Sequence, residues 1–221
     1  MNTVLVIAPH PDDETLGCGG TLLKHKYMND LVSWLIVTKM GDSSFSKDRI
    51  KKRQEEIEQV VQMYNFDNVI QLDYCTTQLD TIPLSSMVSS IGEVLARIKP
   101  NIIYLPYQGD AHSDHKAVFD AAVACTKWFR YPSVKKVMVY ETLSETDFGL
   151  NPDTNGFRPT VYSDIEAYLD KKIEIMKVFE SEMGTFPFPR SEESIRALSA
   201  VRGTAAGCKA AEAFMLLKEV W

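Results

Sequence analysis

Val4-Leu5-Val6-Ile7-Ala8-Pro9-His10-Pro11-Asp12-Asp13-Glu14 is the stretch on which the fold of this chain turns. An unbroken apolar run closed by proline reads as a strand buried on both faces, the habit of a parallel sheet. A histidine and three carboxylates follow at once, so this polar cluster stands at the C-terminal end of a strand. The arrangement recurs in mid-chain, where Ile102-Ile103-Tyr104-Leu105 precedes His112-Ser113-Asp114-His115.

Working outward, hydrophobic periodicity predicts strands at 4–7, 31–38, 68–72, 102–105 and 134–140, alternating with helices at about 14–27, 47–64, 85–99 and 115–130. Ile50, Ile57, Val61 and Tyr64 make one helical stripe, and Val118, Ala121, Ala122, Cys125 and Phe129 another. This alternation predicts an α/β chain whose helices cover both faces of a parallel sheet. In a doubly wound strand order the first and fourth strands are neighbours, and ligands bind in the crevice beyond their C-terminal ends. Such an order brings the two clusters together. Further on, a loop at 142–158, a short strand at 159–162, a helix at 165–179 and a proline-broken loop at 185–190 read as a lid. The tail, 191–220, opens as a helix capped by Ser191 with Glu192 and Glu193 in its first turn.

The chain has 221 residues and no composition break, which predicts one domain over 1–221. A net charge of −6 and no basic tract longer than Lys51-Lys52-Arg53 argue against nucleic acid as a partner. Cys18, Cys75, Cys125 and Cys208 form no CxxC pair, which fits reduced thiols in a cytoplasmic protein. No leader pattern and no apolar run of about 18 residues argues for membrane insertion.

A catalytic zinc takes three His or carboxylate ligands and leaves a position open for water. His10, Asp13 and His115 supply such a set. Asp12 cannot easily share a metal with its neighbour Asp13, since successive side chains diverge, and is free to act as general base toward a bound water. His112 is placed near the metal whether the following helix starts early or late. It is expected to stabilise the oxyanion as an imidazolium and protonate the leaving amine, with Asp114 orienting its other ring nitrogen and Asp110 the second choice for that support. Two imidazoles and a carboxylate suit iron(II) as well as zinc.

The stretch from Val6 to Glu14, the later His112-Ser113-Asp114-His115-Lys116-Ala117, and Arg202-Gly203, Gly207 and Ala211-Glu212-Ala213-Phe214 resemble the PIG-L/LmbE-like N-deacetylases over nearly the whole chain. The resemblance implies a Rossmann-like three-layer sandwich and zinc-dependent removal of N-acetyl from an N-acetylglucosamine-type amino sugar. It implies the same roles for His10, Asp13 and His115 as ligands, Asp12 as base and His112 as the second catalytic group. It further implies a substrate contact at Arg53, and relatives are often homo-oligomers. Ser113 stands where the family usually has proline, and Phe188 where it often has histidine, so specificity does not carry over directly.

Simpler roles compete for some of these residues. Aspartate after a strand often caps a helix, but capping leaves His10 and the second cluster unexplained. Gly17, Gly19 and Gly20 do not match a dinucleotide GxGxxG and fit close helix packing better. Trp128, Phe129 and Tyr131 suit a core or subunit interface, and His25, between Lys24 and Lys26, is expected on a solvated helix face. Arg190 and Arg202 fit an anionic substrate group or plain ion pairs equally. The rival functions are a non-catalytic metal- or sugar-binding module and a metal-dependent phosphoesterase, the latter normally needing a second metal and more carboxylates.

Overall fold

The computed structural model describes residues 1–41, 44–150 and 156–221. β1 (Thr3–Ala8) is almost wholly buried, as its unbroken apolar run requires. It pairs in parallel with β2 (Leu31–Lys39) on one side and β4 (Ile102–Pro106) on the other. Adding β3 (Asn68–Cys75), β5 (Lys136–Tyr140), β6 (Val161–Asp164) and β7 (Ala211–Glu219) gives a seven-stranded sheet of order β3-β2-β1-β4-β5-β7-β6. The order reverses between β1 and β4, so the doubly wound arrangement is present and both polar clusters leave the sheet at one edge of the same crevice.

Successive β1 side chains point to opposite faces, and each face has its own core. Val4, Val6 and Ala8 pack with α1 (Asp13–Tyr27), α2 (Lys47–Tyr64), α5 (Leu169–Met176) and α6 (Glu192–Ala206). Leu5 and Ile7 pack with α3 (Leu84–Ile98) and α4 (Ser113–Ala124). The result is the predicted three-layer, mostly parallel sandwich. Each fully buried Leu or Ile in these layers contributes about 1.5–3 kcal/mol.

Several elements differ from the periodic reading. The helix expected at 115–130 starts at Ser113 and stops at Ala124, where the backbone turns at Cys125. The strand expected at 134–140 begins at Lys136, the one at 159–162 lies at Val161–Asp164, and the helix expected at 165–179 is confined to Leu169–Met176. Ser191 does cap α6, its Oγ accepting from Ser194 N at 3.1 Å. The tail then yields β7, which runs antiparallel between β5 and β6. Part of the loop expected at 142–158, residues 151–155, lies outside the described residues.

α1 carries Asp13, and its course is set by tertiary partners. The helix is broken at Cys18 (φ −144°, ψ 19°). Glu212 of β7 caps the renewed turn, accepting from Gly20 N at 2.9 Å and Thr21 N at 2.7 Å. Buried Lys172 of α5 bonds both Glu212, at 2.7 Å, and the freed carbonyl of Leu16, at 2.8 Å, so the break leaves these groups satisfied. His25, expected in solvent, is buried, with Nδ1 2.8 Å from Asp30 Oδ2 and Nε2 2.9 Å from the Tyr104 hydroxyl. The helix carries its Lys neighbours outward while this position faces the sheet.

Gly17 permits the close approach that seats α1. A Cβ there would stand 2.2 Å from the ring of Tyr140, which is fully buried and bonds Ile7 O at 2.9 Å. Gly17→Ala is expected to cost about 1–3 kcal/mol by overpacking, seen as a lower thermal midpoint. An unchanged midpoint would mean the Tyr140 ring moves aside freely.

Candidate metal centre and active site

The C-terminal ends of β1 and β4 deliver the two clusters to one cavity of ≈ 280 Å³, lined by His10, Asp12, Asp13, His112, His115 and Arg190 among others. Asp13, in the first turn of α1, is the hub. Its Oδ2 lies 3.3 Å from His10 Nδ1, 3.3 Å from His115 Nε2 and 2.8 Å from the His10 backbone N–H. A tetrahedral site with ligand bonds of about 2.0–2.1 Å has edges of about 3.3 Å, so both edges at Asp13 have the length expected between ligands of one small cation. Candidate ligand atoms of this trio all lie within 4.8 Å of one another.

The far nitrogens of both imidazoles are already held. His10 Nε2 lies 2.9 Å from Asp114 Oδ2 and His115 Nδ1 2.7 Å from Asp110 Oδ2. Such carboxylate–imidazole pairs fix ring orientation and tautomer behind a metal. Asp114 also accepts from the backbone N–H of Thr77 at 2.7 Å and of Leu79 at 3.1 Å, and Asp110 from Thr146 Oγ1 at 2.6 Å. Asp114 therefore orients His10, where the sequence reading had it orient His112. The reason is local: His112 is the N-cap of α4, and its Nδ1 accepts from the Asp114 backbone N–H at 3.1 Å while the Asp114 side chain points away. Asp110, the second choice from sequence, supports His115.

Electrostatics follow from these contacts. Burial disfavours charge on His10, but its bonds to Asp114 and Asp13 outweigh this and lift its pKa to about 9. Burial is likewise overcome at His115 by Asp13 and Asp110, which raise it, and at Asp13 by His115 and His10, which lower it. Raised in this way, both imidazoles favour their protonated forms when no cation is bound. His112 behaves oppositely: burial and the neighbouring His10 push it down to about 4. With Nδ1 accepting, the neutral ring carries its proton on Nε2. This favours a neutral N–H donor at His112 over the imidazolium expected from sequence.

Cation uptake must displace the imidazole protons. At pH 7 it is expected to release up to about two protons, and apparent affinity is expected to climb with pH toward about 9, where His10 deprotonates unaided. Calorimetric titration in buffers of different ionisation enthalpy measures this number directly; zero release would contradict the pairing. By the same raised pKa, the His10 contribution to metal-free stability is full below about 6.5 and lost as pH rises through about 9.

Asp12 occupies the N-cap position of α1, yet its side chain makes no capping bond, so the capping role weighed above does not apply. Its backbone sits at φ 132°, ψ −30°, a conformation costing a non-glycine residue about 1–3 kcal/mol and typical of sites where geometry serves function. Its carboxyl is buried, and burial together with the charge of Asp13 holds its pKa well above the usual carboxylate range. Arg190 Nη1 lies 3.7 Å from Asp12 Oδ2, and Arg190 Nη2 lies 3.2 Å from Glu182.

The three arginines part company. Arg190 and Arg53 line the cavity. Arg53 is nonetheless largely engaged by protein, donating to Pro11 O at 3.0 Å, to Ser181 Oγ at 3.0 Å and to Glu182, beside Glu56 at 3.1 Å. Arg202 lies outside the cavity and forms a bidentate pair with Glu141, at 2.7 and 2.5 Å, so it takes the ion-pair alternative. Glu182, which ties Arg53 to Arg190, has no signal in sequence because it belongs to a short turn remote from both motifs. Asp110 had one, lying on the same strand-to-helix loop as the second cluster.

A mostly parallel α/β sheet with a His/Asp cluster at the switch point, backed by carboxylates and flanked by Asp12, has the form of a hydrolase site that could hold a metal ion. The chain belongs to the PIG-L family, matching the model for GlcNAc-PI de-N-acetylase over residues 5–126. It is 27% identical over 186 residues to the uncharacterized deacetylase YaiS of Escherichia coli (strain K12), covering 80% of this chain and 90% of that protein. Similarity to the diacetylchitobiose deacetylase of Thermococcus kodakarensis is 26% identity over 230 residues, with 96% and 82% covered. Among solved structures, the conserved protein TT1542 from Thermus thermophilus matches with a TM-score of 0.81 at 25% identity, over 100% of this chain and 97% of that one.

Proposed function

We propose that this chain is a metal-dependent deacetylase that hydrolyses the N-acetyl group of an N-acetylglucosamine-type or related small amino sugar. The observation that carries the reading is the close spacing of His10 and His115 about Asp13, 3.3 Å on each side, with a buried Asp12 beside them that faces Arg190, in a chain of the de-N-acetylase family. The deacetylase names of its relatives support the same chemistry.

His10, Asp13 and His115 would hold the metal, zinc or iron(II). When bound, the metal would acidify a water and polarise the amide carbonyl. Asp12, whose pKa is raised above the ordinary carboxylate value and which is therefore a stronger proton acceptor, takes one proton as water adds to the carbonyl carbon. His112 Nε2–H donates to the oxygen that becomes the oxyanion. The C–N bond then breaks, Asp12 returns its proton to the departing nitrogen, and free amine and acetic acid result, the acid then losing its proton to solvent as acetate. Arg190 beside Asp12 steadies its ionised form. In this reading residues 1–221 form one catalytic domain working in the cytoplasm as a homo-oligomer. The four cysteines are free thiols, and no helix among the described residues is long and apolar enough to cross a membrane.

The phosphoesterase alternative asks for two metals. Among the described residues the second group of candidate ligands, His10, His112 and Asp114, shares His10 with the first. Two of its contacts are already hydrogen bonds within the cluster. One metal per chain by elemental analysis is therefore expected. The deciding assay is fluorescamine detection of free amine from a panel of N-acetylglucosamine compounds, free, nucleotide-linked, malate-linked and inositol-linked, with chelated enzyme as control. Metal-dependent amine release from a member of the panel is the expected result. Silence across the panel with metal bound would overturn the amino-sugar assignment.

A further inference from the structure

The buried carboxylate of Glu14 and the guanidinium of Arg53 bond opposite ends of one peptide group. Arg53 Nη1 donates to the carbonyl of Pro11 at 3.0 Å, and the N–H of Asp12 donates to Glu14 Oε2 at 3.0 Å. A trans peptide is planar, so holding its C=O and its N–H fixes its rotation, and with it ψ of Pro11 and φ of Asp12. That φ is the 132° which a non-glycine residue avoids. The downstream side is pinned too, since the Asp12 carbonyl accepts from Thr15 N at 3.0 Å and Leu16 N at 2.8 Å.

Glu14 itself is fully buried and locked. Its Oε1 accepts from Thr15 Oγ1 at 2.6 Å, which in turn accepts from the Tyr64 hydroxyl at 3.1 Å. Tyr64 and Arg53 both belong to α2, so one helix braces both sides of the peptide. Glu14 does not line the cavity and Arg53 has most of its donors engaged by protein.

We infer that Glu14 and Arg53 are positioning residues that clamp the Pro11–Asp12 peptide and so aim the Asp12 carboxylate into the site. The inference rests on Asp12 being the base. Helical φ at residue 12 would rotate its side chain relative to Asp13 and to the space before His112. Relaxation of the clamp thus misaims the proton acceptor without removing any metal ligand. Arg53, which family resemblance marks as a substrate contact and which lines the cavity, acts in addition through the backbone of another residue.

The test compares Glu14→Ala, Glu14→Gln and Arg53→Met with the wild-type chain, reading kcat, KM, metal content and the Asp12 amide by ¹⁵N-edited NMR. Glu14→Ala is expected to lower kcat about 10- to 100-fold, hold KM within about twofold, keep its metal, and move the Asp12 amide proton upfield as its carboxylate acceptor is lost. Glu14→Gln keeps an acceptor oxygen and is expected to recover most of kcat. Arg53→Met added to Glu14→Ala is expected to cost less than the product of the single losses, because both act on one peptide. Wild-type kcat in Glu14→Ala with a displaced Asp12 amide would overturn the clamp. A raised KM with intact kcat in Arg53→Met would return Arg53 to substrate binding. Should Glu14→Ala not fold, slow exchange of the Asp12 amide in the wild-type protein still tests the bond, and free exchange would remove it. If the wild-type chain hydrolyses no amide, the base assignment fails, while the amide measurements still decide the clamp.

Discussion

Asp12→Asn is expected to keep one metal per chain and lose about 10²- to 10⁴-fold in turnover, the contribution of a positioned general base. The amide is nearly isosteric, and Asp12 makes no bond to His10 or His115, so the cation cluster should be undisturbed. Stability should move the other way. The folded pKa of Asp12 is raised by burial and by Asp13, so ionising it opposes folding as pH rises above the ordinary value near 3.8. Asn carries no such charge, and the variant is expected to melt above the wild type at pH 8 and to lose that advantage in acid. Steady-state kinetics, elemental analysis and a melting curve at two pH values check all three parts. Full activity in Asp12→Asn would remove the base assignment.

His115→Ala is expected to abolish both metal retention and activity. His115 is buried between Asp13 and Asp110, and removing it deletes one of three ligands and leaves two carboxylates facing a void. Asp13 keeps His10 and Asp110 keeps Thr146, but each loses its bond to the His115 ring inside the protein, so the metal-free variant should also be less stable than metal-free wild type. Asp110→Asn supplies the graded comparison: the ligand remains while its supporting carboxylate becomes an amide, expected to weaken metal affinity about 10- to 100-fold. Equilibrium dialysis against a metal buffer ranks the three proteins. Equal affinity for His115→Ala and wild type would place the metal elsewhere, with His10, His112 and Asp114 the remaining candidate group.

The order wild type, Asp110→Asn, His115→Ala also separates a metal centre from a cluster of ion pairs. An ion-pair cluster would respond to these changes in stability alone. A metal centre responds in bound cation, and the proton release on binding ties that response to the raised pKa values of His10 and His115.

The sequence by itself determined the alternation of strands and helices, the doubly buried β1, and the placing of two polar clusters after strands one and four. These are local properties, set by hydrophobic period and by the residue types that close a strand. Which carboxylate serves which imidazole was not local. Asp114 turns from its neighbour His112 to His10, a residue in the loop after β1, because the α4 cap uses the Asp114 backbone and leaves its side chain free to reach across. The strand β7 was hidden for a related reason: its pairing partners, β5 and β6, are distant in sequence, and only a sheet already formed offers them. Burial of His25, the engagement of Arg53, the pairing of Arg202 with Glu141 and the left-handed φ of Asp12 all depend on groups brought from elsewhere in the chain. Residue types named the chemistry, and long-range packing assigned each residue its partner, since an imidazole or carboxylate takes its protonation state from what surrounds it once water is excluded.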